Sequence, residues 1–295
     1  MSVYHAGSRA VQDLAGVRDR ADHVGRSLTP DIKPVAAAFL ELQPLLVVGA
    51  ADPATGRVWA SPVTGAPGFV RAAGPRRMSV TGGPPPADPL AAALTAPGIP
   101  VGTIALDPRT RRRMRLNGRL RPTPRGFAVA AEQVFANCPK YIQRRETCER
   151  VQDRVPGTPR PLTALGDEQA ALVAAADTFF LATVHTDGAD ASHRGGNPGF
   201  VRVVSPRELA WPDYPGNAMF RSLGNLHTDP RAGLLFLDWT TGTTLQLTGS
   251  ARTGFGAGGE RTVRFTVTGG VHTPAALPLR WSAPGYSPAN PDIPR

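Results

Sequence analysis

The chain has 295 residues, 41% of them hydrophobic, with 31 prolines, 32 glycines and a formal net charge of +10. That length suits two ordinary domains or one large one, and no run approaches the roughly 18 to 20 apolar residues that cross a bilayer. No charged start leads through an apolar stretch to a small-residue cleavage site, so a cytoplasmic, soluble protein without a membrane partner is expected. A strongly basic chain raises nucleic acid as a partner. Here, however, only Lys33 and Lys140 are lysines, and the many Arg, Ala, Gly and Pro residues match a GC-rich coding sequence. Nucleic acid is therefore disfavoured. Cys138 and Cys148 are too few for a disulfide framework or a zinc site. On one helix they would lie roughly 15 Å apart and could not bridge.

Residues 4–26 carry Val11, Leu14, Ala15 and Val17 among charges, which predicts an amphipathic helix lying on another part of the chain. Thr29-Pro30 predicts a helix start, Val35, Phe39, Leu40 and Leu42 its buried face, and Pro44 its end. Strands follow at 45–50, 58–61, 69–71 and 78–80, punctuated by the Asp52–Gly56 and Pro67-Gly68 turns. After a Pro/Gly loop at 82–86 come a short helical piece at 90–94 and strands at 99–106, 114–120 and 127–134. A polar helix is expected over 139–150, then a linker, VPGTPRP, over 155–161. The second half reads as helix 167–177, strand 179–184, a hairpin turn at 185–188, and a strand through ASHRGG at 191–196. Strand 208–211, helix 217–226, paired strands 232–239 and 243–252, strand 265–267 and a Pro-rich tail complete it.

The second half repeats the first. Residues 191–203, ASHRGGNPGFVRV, fall on residues 60–72, ASPVTGAPGFVRA, with a shift of 131 and no gap. The same shift superposes Pro75-Arg76 on Pro206-Arg207, Leu106-Asp107 on Leu237-Asp238, Leu116 on Leu247, Gly118 on Gly249 and Arg121 on Arg252. Two ladders of short strands, each with a helix over it, imply two small β-barrels, because closure removes exposed strand edges. Two similar barrels in one chain pack most simply as a pseudo-twofold pair. The basic cluster Arg109, Arg111, Arg112, Arg113 and Arg115 is open to two readings, a phosphate holder or a solvated strand face. Its counterparts Thr240, Gly242, Thr243, Thr244 and Gln246 favour the solvated face.

The segments FFLATVHTDGADASHRGGNPGFVRV, ELAWPDYPGNAMFRSLGNLHTDPRAGLLFLDW and TLQLTGSAR resemble the pyridoxamine 5′-phosphate oxidase-like flavoproteins with the FMN-binding split barrel. The resemblance is good over 179–252 and looser over 39–121, with YHAGSRAVQD and NCPKYIQRR also familiar from multi-part members. It implies a mainly β fold with accessory helices: two tandem split β-barrels forming an intramolecular pseudo-dimer, with a flavin at their interface. The expected division is an N-terminal helical segment 1–27, a degenerate first barrel 28–154, the linker 155–161, a cofactor-binding barrel 162–270 and a tail 271–295.

A flavin mononucleotide needs a cationic, donor-rich cradle and a flat apolar slot. Carried over from the family, the strand part of that cradle is Ser192, His193, Arg194 and Gly195; the helix part is Asn217 and Arg221, with Ser222 beside them. Either His193 or Arg194 points inward along the strand. Trp211, Asp213 and Tyr214 occupy the loop that the family sets beside the ring, although Trp211 also suits the core. Asn217 and Asn225 suit helix caps as well as ligand contacts. Lys140 and Tyr141 fall on a segment that relatives bring near the cofactor, and Cys138 is a weaker redox candidate there. The oxidase's own strand pattern is absent, since HRGGNPGF stands in its place, which puts pyridoxamine phosphate oxidation in doubt. In the first half, Pro62, Val63 and Thr64 replace His193, Arg194 and Gly195, Pro86 replaces Asn217, and Leu90 replaces Arg221.

The expected function is that of an FMN-dependent oxidoreductase with one site between unequal halves. The alternatives are a deazaflavin-dependent reductase of the same fold, or a non-catalytic flavin- or haem-binding protein. The expected partners are a small-molecule substrate, NAD(P)H binding transiently because no dinucleotide fingerprint is present, and a further copy of the chain as a homodimer.

Overall fold

A computed structural model describes residues 3–136 and 139–293. The first half contains α1 (Ala6–Leu14), α2 (Arg18–Gly25), α3 (Pro34–Glu41) and seven strands: β1 (Leu45–Ala51), β2 (Val58–Thr64), β3 (Val70–Ala72), β4 (Arg77–Thr81), β5 (Pro100–Asp107), β6 (Arg112–Thr123) and β7 (Gly126–Ala136). After β8 (Cys148–Arg150) and β9 (Arg160–Leu162), the second half runs α4 (Asp167–Ala175), β10 (Thr178–His185), β11 (Gly188–Gly195), β12 (Arg202–Ser205), β13 (Glu208–Pro212), α5 (Arg221–Thr228), β14 (Arg231–Leu237), β15 (Thr244–Phe255) and β16 (Arg261–Thr273). β17 (Leu279–Trp281) pairs with β8, and β9 adds to β16. The site residues Lys140 and Tyr141 lie inside the described range; Cys138 lies outside it.

The strand order is β2-β1-β5-β6-β7-β4-β3 in one sheet and β11-β10-β14-β15-β16-β13-β12 in the other, which is the same ladder twice. Even an irregularity is repeated: a bulge separates Asn117 from Gly118 on β6 and Thr248 from Gly249 on β15. Each sheet rolls around its own core, one built on Leu46, Val48, Met78 and Leu116, the other on Phe179, Leu181, Trp211 and Phe265. A third core lies between the barrels and takes the alternate side chains of the same strands, Leu45 and Val47 from β1 and Phe180, Ala182 and Val184 from β10. That is why LLVV and FFLATV read as unbroken apolar runs: both faces of these strands are buried. The architecture is two tandem split β-barrels packed as an intramolecular pseudo-dimer.

One pair of glycines shows how closely the halves meet. A Cβ on Gly102 of β5 would collide with the Asp190 backbone of β11, and one on Gly233 of β14 would come 2.6 Å from the Trp59 Cα of β2. Gly102 and Gly233 are 131 residues apart, and so are Trp59 and Asp190. The contact is therefore made twice, once in each direction, as a twofold relation demands.

Five expected helices differ in the structure: the one over 4–26 is broken at Gly16 into α1 and α2, the piece at 90–94 is a single tight turn at Ala93–Thr95, and three others change as follows. Residues 139–150 form no helix; Tyr141 is left-handed at φ 63°, and the segment continues as an extended strap ending in β8. Its polar side chains bond to the second half instead. Gln143 donates to the Gly196 carbonyl, and Arg145 forms a buried ion pair with Asp177 at 2.7 Å. The helix expected from Thr29-Pro30 starts at Pro34, which takes the first-turn position where a missing N–H is harmless. The helix expected from Asn217 starts at Arg221, because Ala218 and Phe220 are both left-handed. Among the described residues no helix is long and apolar enough to cross a membrane.

Candidate functional site

The end of β11, the first turn of α5 and the outward face of β6 converge on a cleft of about 320 Å³. On β11 the side chains alternate. Ala189, Ala191 and His193 lie toward the first barrel, where the alanines join the inter-barrel core and His193 meets Phe180 edge-on. Ser192 lies toward α5. Both His193 and Arg194 line the cleft, which opens where the strand ends. Ser192 sits beneath the site, buried, its Oγ 3.0 Å from that of Ser222 and donating to the Leu181 carbonyl.

α5 presents its N-terminus to the cleft through Phe220, Arg221, Ser222 and Leu223, and no side chain caps it. The first-turn N–H groups of a helix have no acceptor within the helix and carry the positive end of its dipole. Asn217 lines the cleft and accepts from the Met219 N–H at 3.1 Å, which holds the turn leading into the helix. Among the described residues five non-glycines have positive φ, and three of them, Tyr141, Ala218 and Phe220, border this cleft. Left-handed backbone concentrated at one place is held there by its surroundings and is a mark of functional sites.

The charge is one-sided. Arg20, Arg113, Lys140, Arg194 and Arg221 line the cleft, and among the described residues the one carboxylate on its wall, Asp213, is held by Arg261 at 3.0 Å and by Arg194 at 3.7 Å. Arg115 lines it too, but its guanidinium is ion-paired to Asp190 and stacks over Phe135 at 4.7 Å. Asp190, 1% exposed, also accepts from Asn117 at 3.1 Å and from Ser222 at 2.9 Å. Burial by itself would raise the Asp190 carboxyl; Arg115 and Arg221 outweigh it and hold it below the usual carboxylate range. Burial pushes Arg194 and Arg221 downward, although a guanidinium stays charged. Arg221 donates to the Val3 carbonyl at 3.0 Å through Nη1 and to Gln133 through Nη2, and its buried Nε has no partner among the described residues.

Several buried donors on the wall lack an acceptor: Nε of Arg115, Arg194 and Arg221, and Nε2 of His193. A buried donor left unmade costs about 1–3 kcal/mol, so the site is suited to a ligand rich in acceptors. Beside the cations stand Tyr141 and Tyr214, ring centroids 5.1 Å apart, with Phe200 and Pro212. Tyr141 is fixed by donating to the Pro215 carbonyl at 3.0 Å. The arrangement offers positive charge and donors at one end and an aromatic surface at the other.

Of the residues singled out from the sequence, His193, Arg194, Gly195, Asp213, Tyr214, Asn217, Arg221, Lys140 and Tyr141 line the cleft. Two do not. Trp211, 1% exposed, is core, edge-on to Phe179 at 5.0 Å. Asn225 is buried one turn further into α5, donating to Thr183 Oγ1 at 2.9 Å and bonded through Oδ1 to His5. The solvated reading of the arginine cluster is corrected for Arg113 and Arg115. On β6, Met114 and Leu116 enter the first core, so Arg113, Arg115 and Asn117 turn outward, and the second barrel covers that outward face. Period-2 alternation was readable in the sequence, but the barrel covering the outward face was not. Arg20 and Val24, from α2, line the cleft with no signal in the sequence to mark them.

Residues 165–256 match the family model described as pyridoxamine 5′-phosphate oxidase. Among solved structures, one similar chain is a putative pyridoxamine 5′-phosphate oxidase from Listeria innocua, at 13% identity and TM-score 0.27, covering 34% of this chain and 91% of that one. Another is a FAD-binding protein from Mesorhizobium loti, at 12% identity and TM-score 0.30, covering 40% of this chain and 97% of that one. A third, HupZ from Group A Streptococcus, has 12% identity and TM-score 0.28, covering 35% and 90%. A search of curated proteins finds no match.

Proposed function

We propose, on the match of residues 165–256 to the pyridoxamine 5′-phosphate oxidase family model, that the cleft between the barrels holds a flavin, FMN, and that the chain is an FMN-dependent oxidoreductase. The observation that carries this reading is the set of buried, acceptorless donors on Arg115, Arg194, Arg221 and His193, gathered at an uncapped helix N-terminus. A phosphate satisfies such a set. Its charge answers the excess of cations, its oxygens accept from guanidinium groups, and the helix end favours it. Arg194 and Lys140, with the first N–H groups of α5, are the residues to hold the phosphate. Tyr141, Tyr214 and Phe200 provide the apolar surface for the ring. A bound flavin brings hydride or electron transfer with it, while the protein orients it and tunes its potential.

In this reading there is one site per chain, and the first barrel contributes to its wall through Arg113 and Arg115. The test is to titrate the purified chain with FMN and, in parallel, with a deazaflavin, following visible absorbance and fluorescence. We expect micromolar or tighter FMN binding at one per chain, and reduction of the bound flavin by NAD(P)H. Loss of the Arg194 side chain in Arg194→Ala should weaken binding by about tenfold or more, whereas Arg71→Ala, on an exposed position of β3, leaves it unchanged. No flavin binding, or equal effects of the two substitutions, sinks the reading. Preferred binding of the deazaflavin would reassign the cofactor, and binding without reduction would make the chain a carrier.

A further inference from the structure

His193 is the buried donor on the cleft wall whose proton the geometry places. Its Nδ1 lies 2.8 Å from Arg113 Nη1. A guanidinium has only donors, so Nδ1 must be the acceptor, and it cannot carry a proton. The ring proton is therefore on Nε2, and Nε2 has no partner among the described residues. The ring is 5% exposed and borders the cleft, with its Nε2 edge against Gly195, where a Cβ would sit 3.2 Å away.

We propose that His193 is a hydrogen-bond donor to an oxygen of the bound ligand, through Nε2, and that Arg113 of the first barrel is the positioning residue that fixes its tautomer. This rests on the reading that the cleft binds a flavin, and it gives the degenerate barrel a defined part in recognition. Arg113 arrives from β6, 80 residues earlier in the chain, and reaches a ring on β11 of the other barrel. A neutral imidazole held this way donates one hydrogen bond in one direction and does not accept. The pairing therefore selects an acceptor atom, such as a phosphate oxygen or a ring carbonyl, and disfavours a donor at that point.

The electrostatics agree with the geometry. Burial first, then Arg113 and Arg194, hold His193 well below the ordinary imidazole value. The charged groups acting on it are both cations, one from β6 and one from its own strand; the strap brings Tyr141 close, and from β10 Phe180 meets the ring edge-on. No described carboxylate acts on the ring to draw a proton onto it.

The test has two arms on the full chain. In the ligand-free protein, ¹⁵N NMR of the histidine rings should show His193 neutral with its proton on Nε2, and without titration near pH 6.5. Arg113→Gln should release the ring to both tautomers and move its titration upward, toward the ordinary value. A ring protonated on Nδ1, or one titrating normally in the unmodified chain, overturns the proposal whatever the cleft binds. In the second arm, FMN, riboflavin and inorganic phosphate are titrated against His193→Gln, which keeps a donor near Nε2, and His193→Leu, which removes it. His193→Leu should weaken binding by about tenfold while His193→Gln keeps most of it. A loss shared by FMN and phosphate places the acceptor on the phosphate; one shared by FMN and riboflavin places it on the ring. Equal affinities of the two variants and the unmodified chain for every probe overturn the donor role. Failure of all three probes to bind the unmodified chain overturns the flavin reading instead and removes the donor role with it, while the tautomer result still stands.

Discussion

The end of β11 and its counterpart at the end of β2 start from one scaffold and reach opposite outcomes. In the second half the strand delivers Arg194 and α5 delivers Arg221, and a cationic cleft opens between them. In the first half the same positions are Val63 and Leu90, 1% and 0% exposed, and both are packed into the barrel core. The buried serines correspond as well. Ser192 is reached by Ser222, which also bonds the Asp190 carboxylate facing Arg115, whereas Ser61 donates to Asp88 at 2.6 Å and receives a bond from Gln246 at 3.0 Å. Arg115 and Gln246 are themselves equivalent, each reaching across from the other barrel. A carboxylate paired with an arginine stands in one half, where a carboxylate held by an amide and a hydroxyl, with no cation, stands in the other. The repeat conserved the way the barrels touch and let go of the ligand chemistry on one side.

The strongest way to break this comparison is to exchange the strand residues. Val63→Arg buries an unpaired charge in a packed core and should cost about 4 kcal/mol or more, without creating a second flavin site. Arg194→Val should leave stability nearly unchanged, because Arg261 still holds Asp213, while flavin affinity falls. Urea unfolding of both variants, with FMN titration, checks the pair; a stable Val63→Arg chain binding two flavins would refute the asymmetry.

The bridging residues come next. Arg115→Gln writes into the first half the residue that the second carries at the equivalent position, Gln246, and strands the buried Asp190 carboxylate, which should cost about 3–5 kcal/mol. Gln246→Ala removes the amide's hydrogen bonds to Ser61 and Asp88 and should cost about 1–3 kcal/mol. Similar losses in the two, measured by denaturant midpoint, would mean that the charge of the network is immaterial.

A smaller effect tests the part the halves share. Gly102→Ala and Gly233→Ala each push a methyl into the opposite barrel's backbone and should cost about 1–3 kcal/mol apiece. Matched values support the twofold contact, and a several-fold difference would deny it.

The smallest expected effect is in acid, where the two networks carry opposite signs. Asp190 is held below its unfolded value, so its contribution is complete above about pH 3.9 and is lost as pH falls beneath that. Asp88 is raised, by burial against the opposing bonds from Ser61, the Leu90 N–H and Gln246. Its contribution is complete below about pH 3.9 and is lost as pH rises through the raised value. Asp88→Asn should therefore remove a decline in stability above about pH 4, and Asp190→Asn should flatten a rise beneath it. Urea midpoints from about pH 3 to 6 distinguish the two slopes, and slopes of the same sign would contradict the assignment.

The sequence carried the duplicated ladder plainly. The gap-free shift of 131 places Gly118 on Gly249 and Leu116 on Leu247, and both pairs occupy matching places at the repeated bulge. The strand end at His193 and Arg194 was legible too, because both alternating faces of β11 reach the cleft there. What local pattern missed had non-local causes. Trp211 suited both the core and ring stacking, and contacts with Phe179 and Phe265 decide for the core. Residues 139–150 looked like a polar helix, but Gln143 and Arg145 find their partners in the other half, and those bonds hold the chain extended.

Alternation along the chain therefore determined by itself that there would be two ladders of short strands, which faces of them would be apolar, and which half had kept cations where the other had lost them. It presented five arginines between Arg109 and Arg115 as near equals. Only the packing of one barrel on the other separated them, leaving Arg112 in solvent and placing Arg115 on Asp190 and Arg113 on His193. The reason is physical: a strand's period says which side chains share a face, but the energy of a charge on that face is set by what covers it.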